Sequence, residues 1–378
     1  MPGILKIAYK LLVNDRAKFT ALLIGITFAV FLMIAMTSLF AGVLKRGSAT
    51  VINIGASVWV MDPAVQSVAN SIPLPDYVLD EVRSLSGVKY AVPLYSGAAL
   101  LKLRDGTYQA ASIVGIDDTT LFGRPQLITG NLQDIFAENA FIAIKDSEFG
   151  KLGNPTVGTT FELNDHRGVV VGIAKVASSA LFGIPTLYTT YTRAQQYIPN
   201  TRFTTSYILV EPKNPAYIPQ IERQVQASGY LALTKDQFID RVSKFYMYQT
   251  GIGINLLIMT ITSFIIGLSI SGQTFYSFVI ENLEKFGALK AIGAKGRVLV
   301  LIILFQASLV AATGYGAGIG LYSLTLWLAR LYLPDYAAMI TWVNLLLAFV
   351  MVVIIAVVSS YFGVRKVLKI EPFEIFRG

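Results

Sequence analysis

The chain contains no cysteine, one histidine, His166, and few charges, which make up 14% of its 378 residues. Without cysteine there are no disulfides, thiolate metal sites or cysteine nucleophiles. The lone imidazole sits in the polar cluster Asn164-Asp165-His166-Arg167-Gly168. It has no second imidazole for a metal and no arrangement suited to a serine triad, so it reads as a solvated turn residue. The phosphate cradle G-x-x-x-x-G-K-[ST] is also missing: Gly150-Lys151 is followed by Leu152, and residue 145 is a lysine. Charge is wholly absent from four runs, 19–44, 245–280, 298–329 and 336–364. Each exceeds the roughly 20 apolar residues that a helix needs to cross a bilayer. An ion-coupled carrier usually keeps an ionisable residue within a span, and these runs keep none. Adjacent acids such as Asp117-Asp118 read as a solvated turn, and no residue is assigned to catalysis.

The mean hydropathy of +0.58 agrees with a membrane protein. The formal charge of +8 is unevenly placed. Segments 1–18, 281–297 and 365–378 together hold 12 Lys/Arg against 5 Asp/Glu, whereas 45–244 holds 18 against 17. The surplus therefore marks orientation rather than nucleic-acid binding: three basic segments inside, the long near-neutral region outside. No basic patch interleaved with aromatics asks for a nucleic acid. Run 19–44 is too long for a signal-peptide core and reads as a permanent span. Before it, Ile4, Leu5, Ala8, Leu11 and Leu12 form one stripe of an interfacial amphipathic helix that also carries Lys6, Lys10, Arg16 and Lys18.

The expected architecture is an α-helical membrane protein with four transmembrane helices. A large α+β extracytoplasmic domain is inserted between helices 1 and 2. Its parts are an amphipathic helix (1–18), span 1 (19–44), the outer domain with its stalk (45–244), span 2 (245–280), a cytoplasmic link (281–297), span 3 (298–329), span 4 (336–364) and a cytoplasmic tail (365–378). In the outer domain, Asp105-Gly106 predicts a hairpin and a second is predicted between 159–163 and 169–173. Similar helix-then-strand units at both ends imply one subdomain closed from both ends around an inserted β-rich middle. From Lys235 onward no break is evident, which predicts a continuous helical stalk into span 2. In span 3, Gly314/Gly318 and Gly316/Gly320 form small-x-x-x-small pairs suited to close helix packing, within a chain or across a dimer.

The link reads ENLEKFGALKAIGAKGR. Its apolar residues Leu283, Phe286, Leu289, Ala291 and Ile292 are mostly three or four apart, as in a short amphipathic helix fit for a groove on a soluble partner. Phe286-Gly287 followed by Leu289 to Ala294 resembles the coupling segment of the FtsX-like, or MacB-type, ABC transporter permeases. One departure is Lys285, where that family often has an acid; here the acid is Glu284. Asn14-Asp15-Arg16, the elements ASIVGID and GVVVGI, and the tail residues Pro372, Glu374 and Arg377 resemble the same family. The layout is similar to its stand-alone DevC-like permeases.

The resemblance implies a non-catalytic permease subunit of an export or efflux system in a bacterial cytoplasmic (inner) membrane, with both termini cytoplasmic. It implies a homodimer and a separate ABC ATPase that carries the ATP and Mg, so that this chain binds no cofactor of its own. It also implies a periplasmic adaptor (membrane fusion protein), a TolC-like outer-membrane channel and contact with membrane lipid. The ATPase-contacting residues would be Glu281, Glu284, Lys285, Phe286, Gly287, Leu289, Lys290, Ala291, Ile292 and Gly293. Phe286 and Leu289 would be the anchors, and Gly287 and Gly293 the turn residues. An FtsX-like signalling permease that activates a cell-wall hydrolase, or a lipoprotein-releasing subunit, remains an alternative. The substrate is not legible.

The charge asymmetry makes a topological prediction. A cysteine placed at Asp165 should react with an impermeant thiol reagent in intact spheroplasts, and one at Lys295 should react only after lysis. The reverse pattern would invert the orientation.

Overall fold

The computed structural model describes residues 2–368 apart from 69, 180, 182, 199–204, 334 and 335. In chain order, α1 (Pro2–Asn14) and α2 (Arg16–Gly47) lead into α3 (Ala49–Ile54), β1 (Val58–Met61), α4 (Tyr77–Ser84), β2 (Val88–Lys102) and β3 (Tyr108–Ile116). Then come β4 (Gln126–Gly130), β5 (Ala140–Ile144), β6 (Thr160–Leu163), β7 (His166–Lys175), β8 (Thr186–Thr190) and α5 (Tyr191–Tyr197). The inserted region closes with β9 (Tyr207–Pro212), α6 (Ile218–Ala227), β10 (Leu231–Thr234) and α7 (Lys235–Tyr248). The remaining helices are α8 (Ile252–Glu281), α9 (Leu283–Ala291), α10 (Gly296–Tyr332) and α11 (Trp342–Leu368). The chain divides into a helical unit and an α/β unit that spans 42–252.

In the helical unit, α2, α8, α10 and α11 are 32, 30, 37 and 27 residues long, and each is apolar enough to cross a membrane. At 1.5 Å per residue even the shortest reaches about 40 Å, beyond the roughly 30 Å hydrocarbon core. Large apolar side chains such as Leu257, Ile258, Leu346 and Val357 point outward, as lipid-facing residues do. The helices approach through small residues. A Cβ on Gly314 or Gly318 of α10 would lie 2.6 Å from Ile26 or Val30 of α2, respectively. Gly25 of α2 meets Ile270 of α8, Gly267 of α8 meets Ala29, and Gly363 of α11 meets Val279. The ring of Phe31 packs edge-on against Tyr322, with centroids 5.8 Å apart. Some polar groups bond across the bundle: Asn344 Nδ2 donates to Ser38 Oγ at 3.3 Å, and Tyr315 Oη donates to the Leu345 carbonyl at 2.9 Å. The four glycines of span 3 thus fall into two sets. Gly314 and Gly318 pack on α2, while Gly316 and Gly320 have open space before them.

The α/β unit holds one ten-stranded sheet in the order β10-β1-β9-β2-β3-β8-β5-β7-β4, with β6 pairing β2 and β7. Strand β2 is its spine. Its first half pairs with β9 and its second half, Tyr95 to Lys102, with β3. The two ends of the insertion meet in β10-β1-β9-β2, and the middle of the sequence forms the remainder. All four residues of β1 are buried, because helices cover both faces. Val58 and Val60 pack with Val78, Val82, Ile221 and Val225 of α4 and α6. Trp59 and Met61 pack with Tyr207 and with Phe238, Val242 and Tyr246 of α7. Trp59 stands edge-on to Tyr207 at 5.6 Å and lies 5.5 Å from Phe238, centroid to centroid. Both predicted hairpins form. Gly106 takes φ +83°, and Asn164 and Asp165 take φ 48° and 65°, the left-handed pair that a two-residue turn needs. His166 is the first residue of β7 rather than a loop residue, and its ring lies 4.9 Å from that of Tyr197.

The stalk is not continuous. Helix α7 opens on a reciprocal cap, Gln237 N–H donating to Thr234 Oγ1 at 3.3 Å and Thr234 N–H to Gln237 Oε1 at 2.7 Å. It then stops at Tyr248, and α8 starts afresh at Ile252. Thr250 Oγ1 donates to the Tyr246 carbonyl at 2.9 Å and accepts from Ile252 N–H at 3.4 Å, while Gly251 turns left-handed at φ +74°. The Thr-Gly pair therefore acts as a helix stop and restart. By contrast, α2 runs unbroken from Arg16 to Gly47.

The two glycine sets predict opposite results. Gly318→Leu should overpack the α2–α10 contact and cost about 1–3 kcal/mol of stability. Gly316→Leu should leave the melting temperature of the detergent-purified monomer unchanged. Thermal unfolding of the two variants side by side is the check, and equal melting temperatures would refute the assignment.

Candidate coupling site

Segment 281–297 folds as a short helix between two long ones. Helix α8 ends at Glu281, Asn282 makes the bend, and α9 begins at Leu283. Asn282 is buried and ties the two helices together. Its Nδ2 donates to the Phe278 carbonyl at 2.8 Å, its Oδ1 accepts from Lys285 Nζ at 2.7 Å, and its carbonyl accepts from Phe286 N–H at 3.1 Å. At the other end Gly293 takes φ +96°, and Ala294 N–H donates back to the Leu289 carbonyl at 3.0 Å. That is the left-handed glycine ending of a helix, a position that a residue with a Cβ fills at a cost.

The bend decides which side chains face outward. Phe286 is fully buried and Gly287 is buried beside it. The expectation that the Phe286 ring is offered to a partner is therefore corrected: the ring is spent inside the chain. The reason is the break at Asn282, which rotates the apolar stripe of α9 towards the helical unit. Gly287 lies within α9 and is not a turn residue; Gly293 is. Leu289 and Lys290 are half-buried, and Lys290 Nζ donates to the Leu368 carbonyl of α11 at 3.3 Å. The exposed residues of the segment are Glu281, Glu284, Lys285, Ala288, Ala291, Ile292, Gly293, Lys295 and Arg297. Ile292 is 82% exposed, the most exposed large apolar side chain of this segment. The tail residues Pro372, Glu374 and Arg377 lie outside the described residues.

Two further contacts, missed in the sequence, fix the surroundings. Glu281 pairs with Lys18 of α2. Lys18 Nζ also lies 3.0 Å from Asp15 Oδ2, and Lys18 N–H donates to Asp15 Oδ1 at 3.3 Å. Burial alone would raise the Asp15 carboxyl. The hydrogen bonds from the Lys18 ammonium and amide, with the charges of Lys18 and Lys285, instead hold it below the usual carboxylate range. Gln306 of α10 is fully buried, and its Nε2 donates to the Ala8 carbonyl of α1 at 2.9 Å. No local pattern announces partners so far apart in the chain. Asn282 alone had a signal, as a cap-type residue at the end of a charge-free run.

At one end of the helical unit, the start of α2 is joined to the end of α8, α9 to the end of α11, and α1 to α10 by buried or ionic contacts. Among the described residues, no three His, Cys, Asp or Glu side chains gather as a metal site.

The fold is that of a polytopic membrane subunit with an α/β domain inserted after its first span. The MacB-like periplasmic core domain model matches residues 20–228, and the FtsX-like permease C-terminal model matches 249–372. The chain belongs to this MacB/FtsX-like family of ABC transporter permeases. It is 26% identical over 365 residues to an uncharacterized ABC transporter permease of Mycobacterium tuberculosis (strain ATCC 25618 / H37Rv), covering 95% of this chain and 93% of that one. It is 24% identical over 153 residues to a putative hemin transport system permease protein, HrtB, of Staphylococcus haemolyticus (strain JCSC1435), covering 40% and 42%. Among solved structures, the periplasmic region of MacB from Actinobacillus actinomycetemcomitans aligns at 14% identity and TM-score 0.39, over 51% of this chain and 94% of that one.

The burial pattern separates two roles. Phe286→Ala should destabilise the helical unit by about 3–5 kcal/mol, as an emptied aromatic site does. Ile292→Ala should stay within about 0.5 kcal/mol of wild type. Melting temperatures in detergent check both, and a stable Phe286→Ala protein would contradict the packing described.

Proposed function

We propose that this protein is the permease subunit of an ABC-type export system and passes the motion of a separate ATPase to its extracytoplasmic domain. One observation carries the reading: the segment around the short helix exposes Glu284 and, just past its end, Ile292, while Phe286, Asn282 and Lys290 tie it to the adjoining helices. A push there moves α8, α9 and α10 together rather than flexing a loop. The chain itself catalyses nothing; ATP and Mg belong to the ATPase subunit. The permease works as a homodimer in the bacterial inner membrane, with both termini and 281–297 cytoplasmic. A periplasmic adaptor and an outer-membrane channel complete the export path. The charge asymmetry of the segments supports the orientation, and charge-free spans favour an external energy source.

In this reading Ile292 takes the anchor role, because a protruding apolar side chain seated in a partner's pocket contributes most to such an interface. Glu284, exposed in the first turn of α9, supplies the acid that meets a basic residue. Ile292→Ala should weaken ATPase capture roughly thirtyfold, the equivalent of about 2 kcal/mol, and Glu284→Ala should weaken it less. Both proteins should insert and melt as wild type does. The measurement is subunit pull-down from detergent with ATP hydrolysis assayed alongside. Wild-type capture by both variants, or hydrolysis by the permease alone, would overturn the reading.

A further inference from the structure

Beside the coupling segment lies a groove of about 610 Å³, bordered by Ile7, Tyr9, Lys10 and Asn14 of α1, by Arg16 and by Lys285. We propose that it seats the phosphate headgroup of an anionic phospholipid. The inference deepens the reading above, since it rests on this end of the helical unit lying at the inner surface of the membrane.

The charge balance carries the argument. Asp15 and Glu281 are both held by Lys18. Lys10 and Arg16 are exposed and form no ion pair among the described residues, and Lys285 spends one hydrogen bond on the neutral Asn282 side chain while its charge also acts on Asp15. Glu284 is exposed on the same segment but does not border the groove. Three cations therefore border one groove whose lining holds no carboxylate, and a phosphodiester accepts charge-assisted hydrogen bonds from such groups. The apolar side chains fit the same occupant. Helix α1 is pinned by its inner face, where Ala8 and Leu12 are buried and the Ala8 carbonyl accepts from Gln306. Its outer face still exposes Ile7 at 43% and Tyr9 at 50%. An aromatic and an aliphatic side chain among lysines, on a helix that leads directly into a span, match the headgroup–acyl boundary rather than water or a protein surface.

The test uses the full chain, released from mixed micelles that hold equal phosphatidylglycerol and phosphatidylcholine, with retained lipids counted by native mass spectrometry. Wild type should retain phosphatidylglycerol at least tenfold over phosphatidylcholine, and the double variant Lys10→Gln/Arg16→Gln should lose that preference. If the double variant melts below wild type, Lys285→Gln replaces it, with a partial loss expected. Equal retention of the two lipids, a preference that survives the substitutions, or displacement of phosphatidylglycerol by millimolar inorganic phosphate would overturn the proposal. So would a double variant that keeps the lipid but no longer captures the ATPase, for the groove would then be a protein-docking surface. The two readings fail separately. Wild type without lipid preference but with ATPase capture sinks only the headgroup site. Lipid preference without ATPase capture sinks only the coupling role.

Discussion

In a bilayer, apolar side chains gain nothing by leaving lipid for one another, so helices hold together only where their surfaces come close enough for dense van der Waals contact. The helical unit depends on that constraint. Gly314 and Gly318 let α10 meet α2, Gly25 and Gly267 let α2 meet α8, and Gly363 lets α11 meet α8. Helix α2 makes such small-residue contacts to two of the other three spans, α8 and α10. The polar bonds from Asn344 and Tyr315 add direction to packing that dispersion alone would leave free to rotate.

At one end of the same unit the packing is extended by charge and amide chemistry. Asn282 welds α8 to α9, Lys18 joins Glu281 to the start of α2, and Lys290 reaches the end of α11. A link between two spans has thereby become a rigid part of the bundle with one exposed face. This explains why its largest apolar residue is hidden. Phe286 holds the segment in place, and the smaller Ile292, beyond the end of α9, is left exposed. Lys10 of α1 and Arg16 of α2 border one groove with Lys285 of that segment, so the proposed lipid and partner surfaces adjoin.

The chain alone determined much of this protein. Four charge-free runs forced four spanning helices, because a backbone in lipid must satisfy its own hydrogen bonds. Asp105-Gly106 and Asn164-Asp165 placed two hairpins, because left-handed backbone is tolerated by few residues. The missing phosphate cradle and the motif around Phe286-Gly287 pointed to a permease-type subunit. These features are local in the chain, so local chemistry announces them. What only the tertiary structure decided is non-local. The stop at Thr250-Gly251 depends on a hydroxyl bonding to both helices. The split of the span-3 glycines into packed and open pairs depends on where α2 lies, and the inward turn of Phe286 depends on the bend at Asn282. An amphipathic stripe shows that a helix has two faces, but its neighbours decide which face is buried.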